Sequence, residues 1–132
     1  MNKKTVLIVE DELDMRIFIS TLLETSGYAP LMTRDGKEGL IKARDVSPDL
    51  IILDVMMPGE GGVQMFRQLK MDQNLKAIPV IMLSAVAQKT FSHYLNMVNA
   101  RLDEPIPRPE AYIEKPPEAE ELLKMTASLI GQ

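Results

Sequence analysis

The sequence predicts a three-layer α/β domain with a mostly parallel central sheet. Three observations carry that reading: five short aliphatic runs, helix-length segments between them, and little polar alternation inside the runs. Continuous apolar runs suit strands buried on both faces, as in a parallel sheet. Right-handed crossovers through helices then cover both faces.

The first run is Thr5-Val6-Leu7-Ile8-Val9. Met15, Phe18, Ile19, Leu22 and Leu23 follow at helical spacing, and Gly27 stands where a C-terminal cap belongs. Ala29-Pro30-Leu31-Met32-Thr33 is weaker and, because it contains a proline, suits an edge strand. Asp35 is placed to cap a helix over Gly36 to Arg44, with Leu40, Ile41 and Ala43 as its apolar stripe. Leu50-Ile51-Ile52-Leu53 is the third strand, and Pro58 and Gly62 suit the turn after it. Val63, Phe66 and Leu69 predict the third helix, with Met65 also available to the core. Pro79-Val80-Ile81-Met82-Leu83 is the fourth strand, and Phe91, Leu95 and Val98 mark the fourth helix. Leu102 to Glu110 holds three prolines in five residues, so a long loop is expected near 102–110. Ala111-Tyr112-Ile113-Glu114 is the last strand. The last helix carries Leu122, Met125 and Leu129 and is expected to open at Pro117, with Glu118, Glu120 and Glu121 at its positive end.

At 132 residues, 45% hydrophobic and 26% charged, the chain is expected to be one globular domain, residues 1–132. Cysteine is absent, which excludes disulfides, thiolate metal sites and cysteine nucleophiles. A net charge of -4 argues against nonspecific nucleic-acid binding. The aliphatic runs are too short to cross a membrane, and the apolar stretch behind Lys3-Lys4 ends at Glu10, so it is no signal peptide. The expected setting is cytoplasmic.

In an open α/β sheet, ligands bind outside the carboxyl ends of the strands. Glu10, Asp11 and Glu12 follow the first strand, Asp54 the third, Ser84 the fourth and Lys115 the fifth. Each alone reads as a cap, a turn former or a surface group. Together they bring carboxylates, a hydroxyl and an amine to one rim. Glu10, Asp11 and Asp54 total -3, and Lys115 leaves -2. Clustered carboxylates repel unless a cation joins them, and oxygen ligands with few protein donors suit Mg²⁺. That places a metal beside a carboxylate nucleophile, with Lys115 and Ser84 free to hold phosphoryl oxygens.

The motifs Val6-Leu7-Ile8-Val9-Glu10-Asp11-Glu12, Asp54-Val55-Met56-Met57-Pro58-Gly59, Leu83-Ser84-Ala85 and Glu114-Lys115-Pro116 resemble the receiver domain of two-component response regulators over nearly the whole chain. The resemblance implies a flavodoxin-like fold with strand order 2-1-3-4-5. It implies Asp54 as phosphoacceptor from a histidine kinase or a phosphotransfer protein, Asp11 and Glu10 as Mg²⁺ ligands, and a backbone carbonyl contribution from Met56. Ser84 matches the switch hydroxyl, and Ala85 after it leaves the phosphoryl pocket open. Lys115 matches the lysine that pairs with the phosphoryl group, typically before a cis bond to Pro116, and Tyr112 matches the aromatic switch that turns inward. Side chains two past the phosphoacceptor and two past the switch hydroxyl, here Met56 and Val86, would border the approach of hydrolytic water.

The departure from the family is the 31-position interval between Ser84 and Lys115, several more than is typical, with the excess assigned to the Pro-rich stretch. That stretch is expected to be an ordered or semi-rigid extension of the output face and not a phosphate ligand. His93, the only histidine, is expected on the surface of the fourth helix. The expected function is a phosphorylation-controlled signalling module that changes its partner-binding face. It would phosphorylate itself and dephosphorylate slowly without being a turnover enzyme. With no effector domain following, it would dock to a downstream protein, relay phosphate or belong to a longer protein; a phosphorylation-dependent dimer is left open. A haloacid-dehalogenase-type phosphatase would need a second Asp where Met56 stands, and a pseudo-receiver would not need the intact acidic and basic set.

Overall fold

The computed structural model describes residues 2–55 and 61–131. Each aliphatic run forms a strand: β1 (Thr5–Val9), β2 (Ala29–Thr33), β3 (Leu50–Asp54), β4 (Val80–Ser84) and β5 (Ala111–Glu114). They alternate with α1 (Leu13–Thr25), α2 (Gly36–Val46), α3 (Gly61–Met71), α4 (Gln88–Asn99) and α5 (Ala119–Ile130). All pairings are parallel and the strand order is β2-β1-β3-β4-β5. The order reverses between β1 and β3, which opens a crevice at their carboxyl ends.

Strand side chains alternate between two buried layers. Leu7, Val9, Ile51, Leu53, Val80 and Met82 pack with residues of α2, α3 and α4, including Leu40, Phe66 and Leu95. Val6, Ile8, Leu50, Ile52, Ile81 and Leu83 pack with Ile19 and Leu23 of α1 and Leu122 of α5. Gly27 takes a φ of 94° just beyond α1, the left-handed position a helix terminus favours. Asp35 caps α2 by accepting a hydrogen bond from the Glu38 amide at 2.8 Å.

Four details differ from the sequence reading. Phe18 and Ile41 are 41% and 53% exposed, because the buried stripes of α1 and α2 are narrower than their apolar composition. Pro117 precedes α5, which is entered through Glu118 and starts at Ala119; the proline is buried instead. Gly62 lies in the first turn of α3, not in a preceding turn. Pro58 falls outside the described residues.

Residues 102–110 contain neither helix nor strand, yet they are tied down. The Asn99 side chain both donates to the Ile106 carbonyl at 2.8 Å and accepts from the Ile106 amide at 2.7 Å. Ile106 is buried in the layer with Phe91 and Leu95. Arg108 donates to the Ser92 hydroxyl, and Glu110 accepts from both the Val80 amide and Lys70. The Lys70 ammonium also reaches the carbonyls of Lys76 and Ile78. This strap crosses the amino-terminal edge of β4 and β5, at the pole opposite the strand ends that carry Asp54, Ser84 and Lys115. No described helix is long and apolar enough to cross a membrane.

Candidate functional site

The parallel ladders place the polar rim. The Glu10 amide donates to the Thr33 carbonyl, and the Lys115 amide donates to the Ser84 carbonyl at 2.7 Å. Asp54 and Ser84 are the last residues of β3 and β4, so each projects from a rigid frame into the crevice. The rim thereby gathers Glu10, Asp11, Asp54, Ser84 and Lys115, with Tyr112 just behind it in β5; Met56 lies outside the described residues.

Carboxylate oxygens of Glu10, Asp11 and Asp54 lie within 4.8 Å of one another. Glu10 and Asp54 are buried, whereas Asp11 is exposed. The Lys115 ammonium stands 3.0 Å from Glu10 Oε1, 3.0 Å from Asp54 Oδ1 and 3.7 Å from Glu12 Oε1. Neither Glu10 Oε1 nor Asp54 Oδ1 receives a well-directed hydrogen bond, although both are out of reach of solvent. The lysine neutralises charge at contact distance without filling their acceptor directions. Converging, under-coordinated carboxylate oxygens are the donor set a hard divalent cation takes.

Burial pushes the Asp54 carboxyl up from 3.8 to about 7, with the Glu10 charge adding to the rise and Lys115 opposing it. Burial alone would lower the Lys115 amine, but its 3.0 Å contacts with Glu10 and Asp54 and their charges outweigh that and raise it. The lysine therefore stays cationic at neutral pH, while Asp54 without metal holds its proton more tightly than an ordinary carboxylate.

The Ser84 hydroxyl accepts from the Val86 amide at 3.0 Å. Tyr112 is half-buried; its hydroxyl donates to the Val86 carbonyl at 2.6 Å and its ring lies 5.3 Å from that of Phe91. The aromatic side chain is thus turned inward against α4. Burial raises its phenol pKa, with the Ser84 contact lowering it and the Glu114 charge adding to the rise. The Lys115–Pro116 bond is cis.

The roles of three residues were not read from the sequence. Arg16 donates to the carbonyls of Glu10 at 2.9 Å and Asp11 at 3.4 Å, holding the acidic loop. A cation in the first turn of a helix opposes the helix dipole, and that was the available signal. A Cβ on Gly62 would come within 2.6 Å of the Asp54 carbonyl, so only glycine lets α3 approach the backbone of that residue. Glu114 accepts from the Gln88 amide at 3.1 Å.

A parallel sheet of this 2-1-3-4-5 order, alternating with helices, has counterparts among known proteins. The chain belongs to the response regulator receiver domain family, which it matches over residues 6–127. It is 37% identical over 129 residues to the polar-differentiation response regulator DivK of Brucella ovis, covering 97% of each chain. The chemotaxis protein CheY4 of Vibrio cholerae superposes with a TM-score of 0.80 at 27% identity, over 97% of this chain and 99% of that one. The receiver domain of a sensor histidine kinase of Pseudomonas aeruginosa, solved with magnesium in its active-site cleft, has the same fold, with a TM-score of 0.81 at 23% identity over 99% of this chain and all of that one. As a receiver domain, the chain is a module of two-component phosphosignalling; accepting a phosphoryl group from a kinase is the function of its family.

Proposed function

We propose that Asp54 is the phosphoacceptor and that Glu10, Asp11 and Asp54 hold Mg²⁺ during transfer. The carrying observation is the convergence of buried, under-coordinated oxygens of Glu10 and Asp54 on Lys115, with Asp11 alongside. The magnesium in the Pseudomonas receiver supports the choice of ion. Bound there, Mg²⁺ would offset carboxylate repulsion and the charge of the incoming phosphoryl group.

An Asp54 carboxylate oxygen attacks phosphorus, the bond from phosphorus to the kinase histidine nitrogen breaks, and that nitrogen keeps the electron pair. The product is an acyl phosphate. Lys115, already 3.0 Å from Asp54, turns to the phosphoryl oxygens, and the Ser84 hydroxyl donates to them. Tyr112, bonded to the loop that follows Ser84, passes the change to α4. Met56, outside the described residues, would supply a backbone carbonyl to the metal in this reading. The chain phosphorylates and slowly dephosphorylates itself in the cytoplasm, and changes its contacts with a downstream protein or a second copy.

Incubation with acetyl phosphate and Mg²⁺ followed by intact-mass measurement tests this. One added phosphoryl group that is absent from Asp54→Asn is expected. No gain would point to a pseudo-receiver, and catalytic consumption of the donor to a phosphatase.

A further inference from the structure

We propose that Glu114 is a positioning residue that couples the phosphoryl site to α4; the proposal rests on Asp54 being the phosphoacceptor. Helix α4 begins without help from its own sequence. Its N-cap residue, Ala87, has no side-chain acceptor, and no acidic residue occupies its first turn. The free amides and positive end of such a helix need an external acceptor. Glu114 supplies it from the end of β5, 26 positions away, by accepting from the Gln88 amide at 3.1 Å.

The cap belongs to a clamp. Tyr112, two residues earlier on the same face of β5, donates to the Val86 carbonyl. Ser84 accepts from the Val86 amide. Residues 86–88 are therefore held by side chains from the ends of two strands, and this hold aims the Ser84 hydroxyl. Lys115, bonded covalently to Glu114, pairs with Asp54. A shift of the lysine toward a phosphoryl group must be felt by the carboxylate that anchors α4. Conversely, loss of the cap depopulates the loop arrangement that receives the phosphoryl group, and apparent affinity falls with that population.

The probe is beryllium fluoride with Mg²⁺, a mimic of the acyl phosphate, titrated while amide NMR signals of Val86 and Gln88 are followed. Glu114→Ala should weaken apparent affinity about fivefold, the scale of a lost helix cap. Glu114→Gln keeps an acceptor oxygen and should return affinity to within about twofold of the unaltered protein. Unchanged affinity in Glu114→Ala, even with a lower melting temperature, would mean the contact is merely structural and overturn the proposal. A Gln variant as weak as the Ala variant would also overturn it, since charge and not the positioned hydrogen bond would then be responsible. If the unaltered protein fails to bind the probe, the phosphoacceptor reading falls and takes the coupling with it.

Discussion

Replacing Asp54 by Asn should stabilise the metal-free protein, even though it removes an ion pair to Lys115. Burial holds the Asp54 pKa at about 7 in the folded chain against 3.8 ordinarily, after the favourable effect of Lys115 is included. Between those values the native state keeps a proton that the unfolded chain has released. The stability this group confers is thus fully present below about pH 4, declines as pH rises, and is gone above about pH 7. The interval corresponds to roughly 4 kcal/mol at about 1.4 kcal/mol per pH unit, and relaxation of Lys115 toward Glu10 brings the expected gain to about 2–4 kcal/mol. Asparagine has nearly the same shape and carries no charge, so its stability lacks this dependence.

The assay is thermal or urea unfolding of both proteins in chelator, from pH 4 to pH 8. Their stabilities should nearly coincide at pH 4 and separate progressively, reaching a plateau above pH 7. At about 3–5 °C per kcal/mol for a domain of this size, the melting temperatures should differ by roughly 6–20 °C at pH 8. Saturating Mg²⁺ should narrow the gap by binding the aspartate form. A pH-independent difference, or an Asn variant less stable at pH 8, would refute the reasoning that carboxylate burial dominates the site.

Asp11→Ala should weaken Mg²⁺ binding about tenfold or more, on the scale of lost metal-site groups, and slow phosphorylation from acetyl phosphate; NMR titration measures the first and intact mass the second. Lys70→Met should lower stability by about 2–3 kcal/mol in urea titration, because it removes a cation only 7% exposed that joins Glu110 and two carbonyls. Ile106→Ala should cost about 2–4 kcal/mol and leave phosphorylation of Asp54 intact, since the strap is held at the opposite pole from the site. Phosphorylated protein should decay faster when Met56 is replaced by Asn, which can orient a hydrolytic water where methionine cannot; radiolabel loss over time reads it.

The strands and the polar rim were legible because both are written locally. A parallel strand buried on two faces must be a continuous apolar run, and the residue ending it must meet the crevice. The burial of Phe18 and Ile41 was misjudged because periodicity identifies an apolar arc, whereas only neighbouring layers decide how much of it is covered. The cap on α4 joins Glu114 to Gln88, and the bond under the strap joins Lys70 to Glu110 across 40 positions. Such pairs depend on tertiary proximity and leave no mark in local spacing. Gly62 read as turn punctuation because its reason is the carbonyl of Asp54, which only the folded chain brings near.

The two poles divide stability from response. At the amino-terminal edge of the sheet, Asn99 satisfies the carbonyl and amide of Ile106 in the strap, and Lys70 satisfies the carbonyls of Lys76 and Ile78 ahead of β4. At the carboxyl edge, one lysine stands between two buried carboxylates and satisfies neither fully. A frame held firmly at one end can tolerate such repulsion at the other, and residual strain at a functional site is what an incoming ligand can relieve. Relief then has a direction. Tyr112, Glu114 and Lys115 occupy one short stretch of β5 and its exit, and their side chains reach the β4–α4 loop, the start of α4 and the acidic cluster respectively. A charge added at Asp54 would act first on Lys115, and its near neighbours Tyr112 and Glu114 are the ones bonded to the β4–α4 loop and the start of α4.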